Sequence, residues 1–175
     1  MVSYSRLFIL VEGDDDERFF KAVIVPQFEA HYDHVQVWQY AQKRAGRIAS
    51  FLISIRRMEA DYLFVGDFDG APCVTKKKHE IVRRISGLSP ERLAVVIDEI
   101  ESWYYAGIDA EKARKMGVRE VHSTESLTKE KLERLIEGRF DSRIDFMVEA
   151  LKGFSISTAE SKNGSFRYFV REFMP

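Results

Sequence analysis

The chain alternates short apolar runs with longer segments in which apolar residues recur every three or four positions. Three unbroken runs, 7–12, 61–66 and 93–97, predict buried strands, and the alternating stretch 34–40 predicts a strand nearer the sheet edge. A helix is predicted after each strand, since apolar residues three or four apart line one helix face. Further helices are predicted at 109–116, 128–137, 141–152 and 165–173, with Ser157 and Ser165 as N-caps.

The repeating order of strand and helix predicts an α/β fold. Right-handed crossovers join such elements into a mostly parallel sheet with helices on its faces, so we expect a Rossmann-like, four-stranded sheet. We expect one domain over 1–175, in which 1–107 form the α/β core and 108–175 a helical extension packed on it.

Carboxylates follow the predicted strands where each strand ends. Glu12 follows the first strand, Asp67 and Asp69 follow the third, and Glu101 lies in an acidic cluster after the fourth. If the first and third strands are neighbours in a parallel sheet, their acidic residues converge in the crevice where open α/β sheets bind ligands. Crowded carboxylates repel one another unless a hard cation neutralises them, which predicts a Mg²⁺ site, with Mn²⁺ as an alternative ion.

A second acidic run, 14–17, follows Gly13 directly. Asp14 or Asp15 is expected to cap the helix that begins there, and acidic residues in a first turn complement the helix dipole. Helix capping therefore explains these residues without a metal, although Asp14 stays open to either role.

Composition narrows the class of protein. The 175 residues are 45% hydrophobic and 31% charged, which is typical of one globular domain, and no apolar stretch approaches the length of a membrane span. A single cysteine, Cys73, cannot form an internal disulfide. We therefore expect a cytoplasmic protein that has no membrane contact.

The net charge of −1 provides no overall attraction to nucleic acid, so local basic patches must supply it. Lys43, Arg44 and Arg47 follow the second strand and are the predicted nucleic-acid contacts. Other basic groups are 56–57 and 76–78. Each patch has a simpler reading as a solvated helix face or helix terminus.

Three motifs carry a resemblance to a known family. They are Leu10-Val11-Glu12-Gly13, Asp67-Phe68-Asp69-Gly70 and Ile100-Glu101-Ser102-Trp103-Tyr104. In this order they resemble the Toprim fold of topoisomerases, primases and overcoming-lysogenization-defect (OLD) nucleases. With the late Ser165-Phe166 they are most similar to small stand-alone Toprim-like proteins of unknown function.

The resemblance implies roles for individual residues. Glu12 matches the family glutamate that acts as general base or acid, Asp67 and Asp69 match its metal ligands, and Glu101 matches an additional acidic residue of the stand-alone group. It implies a Mg²⁺-dependent nuclease or phosphotransfer enzyme acting on nucleic acid. Ala71 stands where the family sometimes has a third aspartate. The resemblance therefore leaves the number of bound metal ions, one or two, open.

Three other functions fit parts of the pattern. A non-catalytic, metal-stabilised regulatory or defence module with a protein partner fits the small size and near-zero charge. A haloacid-dehalogenase-type phosphatase fits Asp67-Phe68-Asp69-Gly70, but Ala71 replaces its threonine and its later motif is missing. A receiver domain is disfavoured because Asp98-Glu99 stand where its lysine belongs.

The sequence does not decide whether the substrate is DNA, RNA or a nucleotide. It also leaves the oligomeric state and the biological pathway open.

Overall fold

The structure is a computed structural model, and it describes residues 4–68, 70–97 and 99–175. Two compact units make up these residues: one runs up to Ile97 and includes Phe173–Pro175, and the other runs from Glu99 to Glu172. Each unit is described by itself. The expectation that 108–175 pack on the α/β core within one domain stays a prediction.

A four-stranded parallel sheet forms the centre of the first unit. Its strands are β1 (Arg6–Val11), β2 (His34–Gln39), β3 (Asp61–Asp67) and β4 (Leu93–Val96), arranged in the order β2-β1-β3-β4. All neighbouring pairs are parallel. The predicted α/β fold with a parallel four-stranded sheet is therefore confirmed, and each strand lies within one residue of its predicted bounds.

Helices connect the strands of this unit. The first connection is a continuous helical stretch made of α1 (Asp14–Phe19), a π-helical segment (Phe20–Ile24) and α2 (Val25–Phe28). The later connections are α3 (Ala45–Arg57), α4 (Val74–Arg84) and a 3-10 turn (Pro90–Arg92). The helices predicted after the second and third strands are confirmed as α3 and α4.

Successive side chains of a strand point to opposite faces of the sheet, and both faces contribute to the core. Leu10 and Phe64 are partners across β1 and β3, and both are almost fully buried. They belong to a cluster of side chains from the strands, α3 and the end of the α4 segment, among them Ile48, Leu52 and Ile85. The strand residues of the opposite face, such as Ile9, are also buried. Burial on both faces explains the unbroken apolar runs of the strands.

The second unit is helical. Its helices are α5 (Ile100–Ala106), α6 (Ala110–Met116), α7 (Lys129–Ile136), α8 (Arg143–Leu151), α9 (Ile156–Lys162) and α10 (Gly164–Phe173), whose last residue is assigned to the first unit. The four helices predicted after Gly107 are confirmed, and α9 was not predicted.

The predicted N-caps of this unit are wrong in two places. Ser155, not Ser157, caps α9 by accepting a hydrogen bond from the Thr158 amide. Ser165 lies inside α10, and the Asn163 side chain accepts the hydrogen bond from the Phe166 amide at 2.8 Å. None of the helices in the described part of the chain combines the length and apolarity that a membrane span requires.

Candidate functional site

The strand order places two of the predicted acidic residues at a topological switch point. From β1 the chain moves to one side to form β2, then crosses to the other side to form β3, so the connections leave β1 and β3 in opposite directions. Glu12 directly follows β1, and Asp67 is the last residue of β3. Ligands of open parallel sheets bind at the carboxyl ends of strands that flank such a switch point.

Glu12 and Asp67 line one small cavity of about 80 Å³. Both residues are half-buried, and the Oδ1 atom of Asp67 is inaccessible to solvent. Two cationic residues of the α4 segment, Lys77 and Arg84, line the same cavity. The remaining lining residues are Tyr40, Phe64, Gly66, Ile81 and Ile85. The cavity therefore combines two carboxylates with two cations on an apolar floor.

Tyr40 forms the buried wall of this cavity. Its hydroxyl donates a hydrogen bond to the Val65 carbonyl oxygen at 2.7 Å, and its ring stacks on Phe64 with centroids 4.5 Å apart. Burial raises the pKa of Tyr40 strongly, and the negative charges of Glu12, Asp67 and Asp16 raise it further. The hydroxyl therefore stays protonated and remains a donor, within electrostatic reach of the carboxylates.

The acidic run after Gly13 has structural partners. Helix α1 begins at Asp14, with Gly13 at the N-cap position. The Asp16 carboxylate accepts a hydrogen bond from the Gly13 amide at 3.2 Å. The prediction that Asp14 or Asp15 caps the helix is therefore wrong. Asp15 pairs with Arg18 at 2.6 Å, and Asp14 accepts a hydrogen bond from Gln39 at 2.8 Å.

The donor set of the cavity fits a magnesium ion. Mg²⁺ in proteins is usually bound through one or two carboxylates and keeps several water ligands, and the cavity offers two carboxylates, those of Glu12 and Asp67. Within residues 4–68, 70–97 and 99–175, no group of three or more histidine, cysteine, aspartate or glutamate side chains is placed to hold a metal ion. Asp69, the second predicted ligand after β3, lies outside the described residues.

The three predicted nucleic-acid contacts lie at the start of α3. Lys43 and Arg44 precede the helix, Arg47 lies in its first turn, and all three are exposed. Positive charges at a helix N-terminus oppose the helix dipole, so helix stability does not explain them. They are not among the residues that line the cavity. Their role in binding nucleic acid stays a prediction.

Glu101 has a defined partner in the second unit. It lies in the first turn of α5, only 5% exposed, and accepts a hydrogen bond from the Arg143 guanidinium at the start of α8. Buried charges are tolerated only when they are paired, and this ion pair satisfies that need. The prediction that Glu101 is a metal ligand was not tested by this contact and stays a prediction.

The other residues of the Ile-Glu-Ser-Trp and Ser-Phe motifs meet in the core of the second unit. The Trp103 indole donates to the Ser165 hydroxyl at 2.9 Å, and its ring lies 5.1 Å from that of Phe166. The Asn163 amide donates to the hydroxyls of Thr124 at 3.0 Å and Ser102 at 3.3 Å. These contacts give the two motifs a packing role.

Sequence reasoning did not single out Tyr40, Lys77 or Arg84 as site residues. Tyr40 looked like the last residue of a strand, and Lys77 was noted only within a run of three lysines. The spacing of Lys77, Ile81 and Arg84 was the available signal, since it places two cations on the same helix face as an apolar residue that packs against the core.

Comparisons with known proteins support the fold. No protein-family model matches the chain, and no curated protein matches it. The structure is similar to the C-terminal region of the OLD protein of Xanthomonas campestris pv. campestris, with a TM-score of 0.50 and 15% identity, covering 98% of this chain and 94% of the other. The corresponding region of the Burkholderia pseudomallei OLD protein gives a TM-score of 0.47 and 14% identity, covering 98% and 95%.

The first of these likenesses supports a Toprim-like fold for this chain, because OLD proteins belong to the families that the three sequence motifs resemble. At this level of identity the likeness concerns the fold alone.

Proposed function

We propose that this protein is a Mg²⁺-dependent phosphodiester hydrolase that acts on nucleic acid, most similar to the stand-alone Toprim-like proteins. One observation carries the proposal: Glu12 and Asp67, from the ends of two adjacent parallel strands, line one cavity with Lys77 and Arg84. Carboxylates beside cations at a sheet switch point suit a substrate that brings both a phosphate and a metal ion.

Asp67, with Asp69 as the other predicted ligand after β3, would hold the ion, and Glu12 lines the same cavity as Asp67. When bound, Mg²⁺ supplies charge neutralisation at a phosphate oxygen. Glu12 then serves as general base, taking a proton from the attacking water, or as general acid, returning one to the leaving oxygen. Its half-buried position in the same cavity as Asp67 supports this role.

Tyr40 contributes by position. Its hydroxyl is held by the carbonyl oxygen of Val65, two residues before Asp67 in β3, and its ring covers the apolar floor. A protonated, buried tyrosine keeps bulk water away from the carboxylates on that side. Water exclusion strengthens electrostatic interactions within a site, so the carboxylates act on the ion and the substrate with little screening.

Replacing Asp67 by asparagine tests the proposal. Asp67→Asn keeps the size of the side chain but removes the charge that the ion needs, so we expect Mg²⁺-dependent cleavage of single-stranded DNA, duplex DNA or RNA to fall at least about 100-fold. The matched control is Asp61→Asn, since Asp61 is the first residue of the same strand, at the opposite edge of the sheet, where it pairs with Arg92.

The outcomes separate the functions that the sequence left open. Cleavage that survives Asp67→Asn and is lost in Asp61→Asn contradicts the assignment of the site. Mg²⁺ binding by the wild-type protein without turnover on any of the three nucleic acids favours the non-catalytic binding module. Hydrolysis of a simple phosphomonoester, with formation of an acyl phosphate on Asp67, favours the phosphatase.

A further inference from the structure

One stretch of the first unit has a charge unlike that of the whole chain. No aspartate or glutamate occurs from 34 to 58, whereas the chain has 28 of them in its 175 residues and a net charge of −1. The same stretch carries five exposed cations: Lys43, Arg44, Arg47, Arg56 and Arg57. Helix α3, which spans most of the stretch, therefore has a positive surface on a nearly neutral protein.

The cations within α3 do not all lie on the same side of the helix. Its inner face is fixed by three buried residues, Ile48, Leu52 and Ile55. Because successive residues are rotated by about 100° around the axis, Arg47 and Arg57 both lie on the outward half of the helix. Arg56 lies on the flank, where its guanidinium donates a hydrogen bond to the Gly87 carbonyl oxygen.

This positive surface begins beside the candidate site. Tyr40 lines the cavity, and the amide of the next residue, Ala41, donates to the Glu12 carbonyl oxygen at 3.0 Å. Helix α3 starts four residues further on and connects two parallel strands, so it runs from the carboxyl edge of the sheet back to the amino edge. Arg47 therefore lies toward the cavity end, and Arg57 lies about 15 Å further along the axis.

Helix stability does not account for the cations at the start of α3. Positive charges in a first turn oppose the helix dipole, which favours acidic residues there. Arg44 occupies the N-cap position, where serine, threonine, aspartate and asparagine are the stabilising residues. The binding of an anionic partner explains why positive residues occupy these positions.

The aromatic residue of α3 is not available to stack on a base. Proteins that hold single-stranded nucleic acid stack the bases on aromatic side chains. Phe51 is instead stacked on Trp38, with ring centroids 4.4 Å apart, and both side chains are half-buried. The surface therefore suits contacts to phosphates rather than contacts to unpaired bases.

The arginines are the charged groups of this face that reach outward. Between them lie Ser50 and Ser54, whose hydroxyls donate back to carbonyl oxygens of the helix at 2.9 and 3.1 Å. The separation of Arg47 and Arg57, about 15 Å along the axis, exceeds the width of about 12 Å of the major groove of duplex DNA. Two arginine side chains at this separation can contact phosphates on both strands.

A membrane surface fits this face less well. Helices that lie in a membrane interface insert a broad apolar face. The apolar face of α3 is packed in the core of the first unit. Among residues 45–58, all of which the structure describes, the exposed large hydrophobic residues are Ile53 and Met58.

We propose that the outward face of α3 binds the sugar-phosphate backbone of duplex DNA, with Arg47 and Arg57 contacting phosphates on opposite strands. Lys43 and Arg44 add positive charge at the end nearest the cavity. The inference rests on the proposed function and extends it, because it names duplex DNA as the substrate class and requires no base contact. It also adds Arg57 to the predicted nucleic-acid contacts and separates it from Arg56.

Binding of a fluorescent DNA duplex, measured by anisotropy, tests this inference. It is measured with Ca²⁺ replacing Mg²⁺ and, in parallel, in EDTA, with a gel confirming that the duplex stays intact. We expect Arg47→Gln/Arg57→Gln to weaken binding at least about tenfold and to reduce the slope of log K against log salt concentration by about 2.

Two matched controls separate this face from charge in general. Arg57→Gln alone should weaken binding about three- to fivefold, and Arg56→Gln, which removes the same charge from the neighbouring position, less than about twofold. Arg114→Gln/Arg139→Gln removes two exposed arginines of the second unit and should weaken binding less than about threefold. The melting temperature of Arg47→Gln should not fall below that of wild type, because the substitution removes a charge that opposes the helix dipole.

Three further comparisons test the chemistry of recognition. Arg47→Lys/Arg57→Lys keeps both charges and should restore binding to within about threefold of wild type. Duplexes of unrelated sequence should bind within about threefold of one another, because phosphate contacts carry no sequence information. A single strand of the same length should compete at least about fivefold more weakly than the duplex.

Several results would overturn the inference: equal losses in Arg56→Gln and Arg57→Gln, an equal loss in the control of the second unit, or a single strand that competes as well as the duplex. Binding to vesicles that contain phosphatidylserine, lost in Arg47→Gln/Arg57→Gln, would overturn it in favour of a membrane. These failures are distinguishable from failure of the proposed function, because none of the measurements depends on cleavage. Duplex binding that depends on Arg47 and Arg57, without cleavage in Mg²⁺, would keep the inference and reject the hydrolase.

Discussion

The two units of this protein place predicted site carboxylates in opposite settings. In the first unit, Glu12 and Asp67 are half-buried and line a cavity that also contains cations. In the second unit, Glu101 is almost fully buried and hydrogen-bonded by Arg143. All three residues follow a strand and match a family motif. The comparison teaches that a motif position alone does not tell whether a carboxylate lines a cavity or lies in the packed interior beside an arginine.

The same contrast applies to the residues around the carboxylates. The neighbours of Asp67 at the cavity are mostly from strand ends and one helix face, which leaves open space between them. The neighbours of Glu101 along α5, such as Trp103, are committed to hydrogen bonds and ring contacts within the second unit. The first setting suits ligand binding, and the second suits stability.

Breaking the Glu101 pair should have the largest effect on stability. Glu101→Gln keeps the side-chain shape but leaves the Arg143 guanidinium without its carboxylate, so we expect the free energy of unfolding to fall by about 3 kcal/mol. Urea denaturation measures it. The control is Glu133→Gln on the exposed side of α7, which should change stability by less than about 0.5 kcal/mol. A loss under about 1 kcal/mol in Glu101→Gln would contradict a stabilising role for the Glu101–Arg143 pair. The contrast between the carboxylates of the two units would then fail.

Removing the Tyr40 hydroxyl should have an intermediate effect. Tyr40→Phe keeps the ring on Phe64 but deprives the Val65 carbonyl oxygen of its donor, so we expect a loss of about 2 kcal/mol in the free energy of unfolding. Tyr32→Phe is the matched control, because that hydroxyl is only half-buried and donates to Asp61 at the other edge of the sheet. Equal losses in both variants would show that the Tyr40 contact has no special weight.

The smallest expected effect concerns the ionisation of two buried tyrosines, Tyr40 in the first unit and Tyr105 in the second. Their pKa values compare the two units directly. Burial raises the pKa of Tyr105 to about 12, although the nearby Arg119 charge opposes the shift. Burial and three carboxylates raise that of Tyr40 further. Tyr105 should therefore ionise at a lower pH than Tyr40 when absorbance near 295 nm is followed upward from pH 9. Tyr105→Phe should remove the absorbance change that Tyr105 contributes.

A stability change accompanies this titration. Because the folded-state pKa of Tyr105 lies above its unfolded value of about 10, its contribution is complete below pH 10 and is lost as the pH rises toward 12. We expect wild type to lose about 1 kcal/mol more than Tyr105→Phe between pH 9 and pH 11. A Tyr40 that ionises before Tyr105 would contradict the electrostatic difference between the units.

Much of the first unit was predictable because its signals are local. The apolar runs that end at Val11 and Val65 are buried on both faces, and the acidic residues after them are conspicuous. The adjacency of β1 and β3 was an assumption that the strand order confirmed. The contribution of α4 was harder to see, since three consecutive lysines hide which one faces the cavity until the helix phase is known.

The second unit was less predictable because its decisive contacts are far apart along the chain. Glu101 and Arg143 are 42 residues apart, and Trp103 and Ser165 are 62 apart. No local pattern connects such pairs. Ser165 looked like an N-cap because it precedes an apolar run. Instead, Asn163 accepts the capping hydrogen bond, and the Ser165 hydroxyl accepts one from the Trp103 indole.

The hydrogen bond from Tyr40 to Val65 joins segments that are not neighbours in the sheet, since β1 lies between β2 and β3. It acts as a crossbar over the central strand, just below the two carboxylates. Such bracing ties the segment after β2 to β3 through the protein's own framework, so the wall of the cavity that Glu12 and Asp67 line is formed before any ligand arrives.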